Sequence, residues 1–166
     1  MHVVAGRGNN GGDASVAVRF LDDYQVTTTL LGRPAAIRTD VARKNWDALV
    51  DAKTHRVTDS SEIHFGDPDL LVDGMLGTGI SGDLREPEAT AARAMNEADA
   101  PVLSVDVPSG LDAETGKLSP TAVDADRVVT FHDTKPGLDD LDAAVDVVDI
   151  GIPAAAETRV ERGDLL

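Results

Sequence analysis

The sequence predicts an α/β fold, a mainly parallel sheet covered by helices on both faces. Three observations predict it. Short apolar runs alternate with stretches of helical spacing along most of the 166 residues. Those runs, such as Val3-Val4-Ala5 and Leu70-Leu71-Val72, lack the two-residue alternation of a strand with one wet face. Finally, the clusters of glycine, asparagine, aspartate and serine fall just after the strand ends. In an open parallel sheet those carboxyl ends form one edge, and ligands bind there where the strand order switches.

The first strand opens at Val3 and runs into Gly6-Arg7-Gly8-Asn9-Asn10-Gly11-Gly12-Asp13. Residues 14–21 then have helical spacing and no breaker, so this stretch reads as a strand, a tight glycine loop and the start of a helix. Glycine lacks a Cβ and tolerates positive φ, which lets backbone N–H groups approach an anion near the positive end of the helix dipole. The spacing is not the dinucleotide fingerprint G-x-G-x-x-G, and the Lys-Ser/Thr of a P-loop is missing. A tight turn with Asp13 capping the helix would account for the glycines but not for both asparagines.

Residues 25–31 are rich in β-branched side chains and stop at Gly32-Arg33-Pro34, a second strand with a turn behind it. Thr39 or Asp40 can cap a helix running through Val41, Trp46, Leu49 and Val50. A short strand follows near Arg56-Val57, then a polar connection over 59–62. Residues 69–76 form a buried strand that ends in a second glycine loop, Gly77-Thr78-Gly79-Ile80-Ser81-Gly82-Asp83. Pro87 sits where a helix can start, and 89–98 is helical. The strand at 101–105 runs into Asp106-Val107-Pro108-Ser109-Gly110. Two more strands lie at 127–131 and 145–150, with Thr134-Lys135-Pro136-Gly137 between them.

Composition narrows the setting. Hydrophobic residues make up 42% and aromatics 3%, so the core is aliphatic, and 166 residues are most simply one domain. No apolar run is long enough to span a bilayer, and a glycine loop interrupts the N-terminus where a signal peptide would be apolar. The absence of cysteine excludes disulfides and thiolate metal sites. A cytoplasmic location is the expectation. The net charge of −15 disfavours nucleic acid and anionic membranes as partners. Because the acids are spread along the chain rather than gathered in a tail, they read as adaptation to high salt, where screening removes self-repulsion.

Asp73 ends a strand within an apolar run, and Gly74 and Gly77 already supply a turn there, so a ligand or catalytic role is expected. In Asp106-Val107-Pro108-Ser109-Gly110, proline fixes the loop, Asp106 sits at the strand tip and Ser109 offers a hydroxyl. A nucleophilic serine would need G-x-S-x-G and a histidine partner, and His2, His55, His64 and His132 are scattered. His132 is the best placed of the four. An amide oxygen, a carboxylate and a serine oxygen suit a hard cation, K⁺, Na⁺ or Mg²⁺, rather than zinc. Lys135 reads equally well as a phosphate partner or as an ordinary surface lysine.

Ala5-Gly6 with Gly8-Asn9-Asn10-Gly11-Gly12-Asp13, Asp73 before Gly77-Thr78-Gly79, and Ser104-Val105-Asp106-Val107-Pro108-Ser109-Gly110 together resemble the YjeF N-terminal domain family, whose enzymes are NAD(P)H-hydrate epimerases. The resemblance runs over about 3–153 and extends to Thr134-Lys135-Pro136-Gly137 and Asp149-Ile150-Gly151-Ile152-Pro153. It implies a Rossmann-like three-layer α/β/α sandwich over 1–153. Residues 154–166 would be a tail or the start of a linker to a dehydratase domain. It further implies that Asn9, Asn10, Gly11, Gly12 and Asp13 hold the nucleotide hydrate together with Gly77, Thr78, Gly79, Ile80, Ser81, Gly82 and Asp83. Asp106 would touch the substrate as the acid–base residue, and Asn10, Asp73 and Ser109 would coordinate one K⁺ per subunit. The implied partners are NADHX or NADPHX, a second subunit in a homodimer, and functionally an ADP- or ATP-dependent dehydratase.

Two departures from the family pattern bear on this. Ala14 stands where the family has glycine. Family members also carry a helical segment ahead of the first strand, so part of the sheet is expected to be bare in this chain. The alternative is a non-catalytic nucleotide-binding or assembly module, but retention of Asn10, Asp73, Asp106 and Ser109 favours catalysis.

Overall fold

The computed structural model describes residues 1–49 and 53–153. Seven strands form one sheet: β1 (His2–Ala5), β2 (Thr27–Leu31), β3 (Lys53–Val57), β4 (Leu71–Gly74), β5 (Val102–Val105), β6 (Arg127–Phe131) and β7 (Ala144–Val148). Their order is β3-β2-β1-β4-β5-β6-β7, and every pairing is parallel. The expected Rossmann-like sheet is therefore parallel throughout. Its order reverses between β1 and β4, which places the switch point beside the two glycine loops.

Three helices follow strands: α1 (Asn9–Val18) after β1, α2 (Asp40–Asp47) after β2 and α3 (Glu88–Asn96) after β4. Successive residues of a strand point to opposite faces, so Val3 and Val4 feed different cores. Val3, Leu30 and Val72 pack with Ala14, Val18 and Trp46 under α1 and α2. Val4, Leu31, Leu71 and Val128 pack with Ala91, Ala92 and Met95 of α3. Each of the buried valine, leucine and methionine side chains contributes about 1.5–3 kcal/mol on burial.

Thr39 caps α2, its hydroxyl accepting from the Ala42 N–H at 3.3 Å. The buried stripe of this helix is Ala42 and Trp46, whereas Val41 is 66% exposed, and Val50 lies outside the described residues. Between β5 and β6 the sheet is covered by a loop, which drives Val107, Leu111 and Val123 into the core beneath α3. Cover also thins at the edge: Val147 and Val148 of β7 are 51% and 42% exposed. Among the described residues no helix is long and apolar enough to cross a membrane. The 154–166 segment lies outside the described residues.

His2 opens β1 inside the fold. Its Nδ1 lies 3.2 Å from the Phe65 carbonyl, which can only accept, so Nδ1 carries the proton and Nε2 accepts from the Thr29 hydroxyl at 2.8 Å. Burial lowers the imidazole to about 4 from 6.5, the Phe65 bond opposing it. Between those values the unfolded chain binds the extra proton, so this group's contribution is complete above pH 6.5 and is lost as pH falls toward 4. We expect it to amount to about 1–2 kcal/mol. Urea unfolding of wild type and His2→Gln at pH 7.5 and 4.5 measures it. The difference between the two proteins should shrink at the lower pH, and a constant difference would refute this account.

Candidate active site

The turn after β1 is built by close approach rather than by unusual dihedrals. Gly6, Gly8, Gly11 and Gly12 all have ordinary φ, contrary to the sequence argument from positive φ. A Cβ on Gly6 would lie 1.8 Å from the Met75 carbonyl oxygen, and one on Gly11 2.0 Å from the Gly6 carbonyl. Gly12 faces Ala42 of α2, where a Cβ would meet the Ala42 methyl at 2.8 Å. The helix accordingly begins at Asn9, with Gly8 at its N-cap and no side-chain cap, so Asn10 to Asp13 belong to its first turns. Ala14 is accommodated by Gly74, whose missing Cβ would fall 2.5 Å from the Ala14 methyl.

Loops from three strands meet at the switch point, as their sequence positions predict. A cavity of about 400 Å³ opens between the start of α1 and the loop after β4. Asn9, Asn10 and Asp13 line one side, Gly77, Thr78, Gly79 and Ile80 another, and Asp106 closes it from the tip of β5. Among the sequence candidates, Gly11 and Gly12 do not line it because they are spent on packing. Ser81, Gly82 and Asp83 are exposed beyond its rim. A cavity of about 590 Å³ at the opposite end of β2 is lined by Val18, Leu21 and Tyr24 among others and holds none of these residues.

Asp73 is fully buried beneath the cavity. Its Oδ1 accepts from the Ser109 hydroxyl at 2.6 Å and the Met75 N–H at 3.1 Å. Its Oδ2 accepts from the Ser104 hydroxyl at 2.9 Å and the Ser109 N–H at 2.8 Å. One carboxylate thus ties together the tip of β4, strand β5 and the loop after it. Burial raises its pKa, and these four donors oppose that rise. Among the described residues no cationic side chain pairs with it, which is unusual for a buried carboxylate. The Leu76 backbone gathers the neighbouring groups: Asn10 Nδ2 donates to its carbonyl at 2.8 Å, and its N–H donates to the Ser109 hydroxyl at 3.0 Å. The Asn10 side-chain oxygen lies against Gly77, 3.5 Å from where a Cβ would stand.

Asp106 adopts φ +69°, a left-handed conformation that Asp and Asn tolerate better than most chiral residues, at a cost of about 1 kcal/mol or more. Its N–H donates to the Val129 carbonyl at 2.7 Å, which pins the turn. Lys135 is not an ordinary surface lysine, its side chain being only 20% exposed. Its ammonium sits 2.8 Å from Asp106 Oδ1 and also donates to Thr130 Oγ1 at 2.7 Å and to the Phe131 carbonyl at 2.8 Å. The Thr130 hydroxyl donates to the same Asp106 oxygen at 3.2 Å. Ser109 is bonded to Asp73 and to the Leu76 backbone rather than to a histidine. His132 does not line the cavity.

Sequence reasoning also passed over two cations at the rim, Arg7 and Arg38. Arg7 reaches Glu88 at 3.4 Å, its carbonyl accepts from the Arg38 N–H at 2.8 Å, and its Nε has no partner among the described residues. In sequence, Arg7 lies between two glycines and Arg38 beyond the turn after β2. The signal that could have found them is their place on the carboxyl edge of the sheet.

The family described as YjeF-related protein N-terminus matches residues 1–137. The bifunctional NAD(P)H-hydrate repair enzyme Nnr of Methanothermobacter thermautotrophicus is 45% identical over 99% of this chain and 34% of its own length. The NAD(P)H-hydrate epimerases of Cenarchaeum symbiosum and Nitrosopumilus maritimus are 43% and 42% identical, over 94% and 95% of this chain and 76% of each enzyme. The chain therefore spans about a third of the first relative and three quarters of the other two. In fold, it is similar to the crystal structure of yeast ynu0, with a TM-score of 0.67 at 24% identity, over 82% of this chain and 59% of that one.

Proposed function

The chain belongs to the family of YjeF-related N-terminal domains, and from that premise we propose that it is an isomerase that interconverts the R and S forms of NAD(P)H hydrate at C6 of the nicotinamide ring. The observation that carries this reading is the Asp106 carboxylate, presented at a strand tip to a polar cavity and held there by Lys135 and Thr130. C6 of the hydrate is a hemiaminal carbon next to the ring nitrogen. A carboxylic acid can protonate the departing hydroxyl to leave an iminium, and a carboxylate can guide water to either face, which inverts the centre. The start of α1 and the backbone of residues 77–80 support the nucleotide, with Arg7 and Arg38 at the rim to face its phosphates.

Asn10, Asp73 and Ser109 fit a potassium ion. They combine a buried carboxylate lacking a cationic side-chain partner with an amide oxygen and a hydroxyl at one backbone position. Potassium held there would offset the Asp73 charge and bind the three loops to one another. In keeping with the bifunctional relatives, we place the S epimer as the substrate of an ADP- or ATP-dependent dehydratase.

The test is a stereochemical assay on R-NADHX at high KCl, followed by chiral chromatography, with circular dichroism to establish that the chain is folded. Interconversion well above the enzyme-free rate is expected. Replacing KCl by tetramethylammonium chloride at equal ionic strength should remove most of it. A folded chain that leaves the epimers at the enzyme-free rate would refute the epimerase reading. Full activity in tetramethylammonium would refute the potassium site.

A further inference from the structure

Inversion at C6 asks for proton transfer on both faces of the ring, and one fixed carboxylate serves one face. Asp106 is such a fixed group. Lys135 and Thr130 both hold its Oδ1, and Lys135 is itself immobilised by Thr130 and the Phe131 carbonyl, leaving Oδ2 for the reactant. Lys135 does not line the cavity and stands behind the carboxylate. Two further carboxylates line the same cavity: Glu88, which is paired with Arg7, and Asp13, in the first turns of α1, with no hydrogen bond or ion pair among the described residues. Its helix leaves the tip of β1, whereas Asp106 leaves the tip of β5, and β4 lies between them. Two strand spacings separate those tips by about 10 Å.

We propose that Asp13 is the second acid–base residue of the site, acting on the face of C6 opposite Asp106, and that Lys135 is the positioning residue that makes the two carboxylates unequal. This rests on the epimerase reading above. In one direction the C6–O bond breaks, and its electron pair with a proton from the Asp13 carboxylic acid departs as water, leaving the ring as an iminium. A second water adds through oxygen to the other face as Asp106 Oδ2 takes its proton. One water leaves and one enters, and proton exchange with solvent resets both carboxyl groups. In the reverse direction the roles exchange. Asp13 is exposed at the cavity, but partial desolvation there raises its carboxyl above its ordinary value and the neighbouring Asp106 charge raises it further, both of which favour the acid form.

The experiment uses the full chain with R-NADHX in KCl, with enzyme-free rates subtracted and folding checked by circular dichroism. Asp13→Asn should lower kcat by about 10²-fold or more, with a smaller change in KM. Lys135→Met should lower kcat by at least about tenfold at near-constant KM, and Lys135→Arg should restore most of it, because a guanidinium can still reach Oδ1. In H₂¹⁸O, each inverted product molecule should carry one ¹⁸O at C6. A wild-type chain without activity would overturn the epimerase reading. An active wild type whose Asp13→Asn variant turns over within threefold of it would overturn the second acid–base role alone. Loss of activity in Lys135→Met entirely through KM would overturn the positioning role. Product retaining ¹⁶O would mean opening of the C6–N1 bond and would overturn the two-carboxylate scheme.

Discussion

Asp106→Asn is expected to lower kcat for R-NADHX by about 10²–10⁴-fold, the usual worth of a positioned acid–base group. Asparagine is chosen because it keeps the shape of the side chain and tolerates the left-handed conformation at φ +69°. The amide can still accept from Lys135 and Thr130 through its oxygen, so the loop should stay in place. What it loses is the ability to take or give a proton. The thermal midpoint should therefore move by no more than about 2 °C, a shift worth under 1 kcal/mol in a chain of this size. Initial rates by chiral chromatography beside a melting curve separate the two effects. A variant within threefold of wild type would remove Asp106 from the chemistry. A variant that melts far below wild type would mean that the residue is chiefly structural.

The second large effect concerns folding. Gly6→Ala places a methyl group 1.8 Å from the Met75 carbonyl oxygen, and backbone is the obstacle, so no side chain can swing aside. The Gly6 N–H already donates to the Gly74 carbonyl at 3.1 Å, which ties the two strand tips at their closest approach. Relief requires the tips of β1 and β4 to separate, which opens the switch point itself. We expect a loss of at least about 3 kcal/mol, at the top of the usual overpacking range, and a midpoint about 10 °C lower. Gly8→Ala is the control. A Cβ there meets nothing within 4 Å and the backbone has φ −100°, so its melt should superimpose on that of wild type. Equal behaviour of the two variants would refute the close-approach account of this turn.

These two residues also mark how far the sequence could be read. Asp106 was legible because a charged residue at the end of an apolar run, followed by a rigid Val-Pro-Ser-Gly, has little reason to be there except presentation to a ligand. Gly6 was legible as a glycine but for the wrong cause. Its dihedrals are ordinary, and what forbids a side chain is a carbonyl contributed by residue 75, which no local pattern reveals. The same holds for Gly11 and Gly12, read as loop residues although they lie inside a helix, where close packing against Gly6 and α2 outweighs their poor helix propensity.

Taken alone, then, the sequence determined the parallel α/β class, the place of most strands and the convergence of three loops on one edge. Each of those follows from apolar runs and breakers within a few residues of one another. Only the tertiary structure decided that Lys135 grips Asp106, that Asp73 joins three segments through four hydrogen bonds, that Arg7 and Arg38 share the cavity rim, and that the loop between β5 and β6 packs into the core. The physical reason is common to all four. Strand order and register bring together side chains that are far apart in the chain, and a charge or hydroxyl takes its meaning from the partner it meets there.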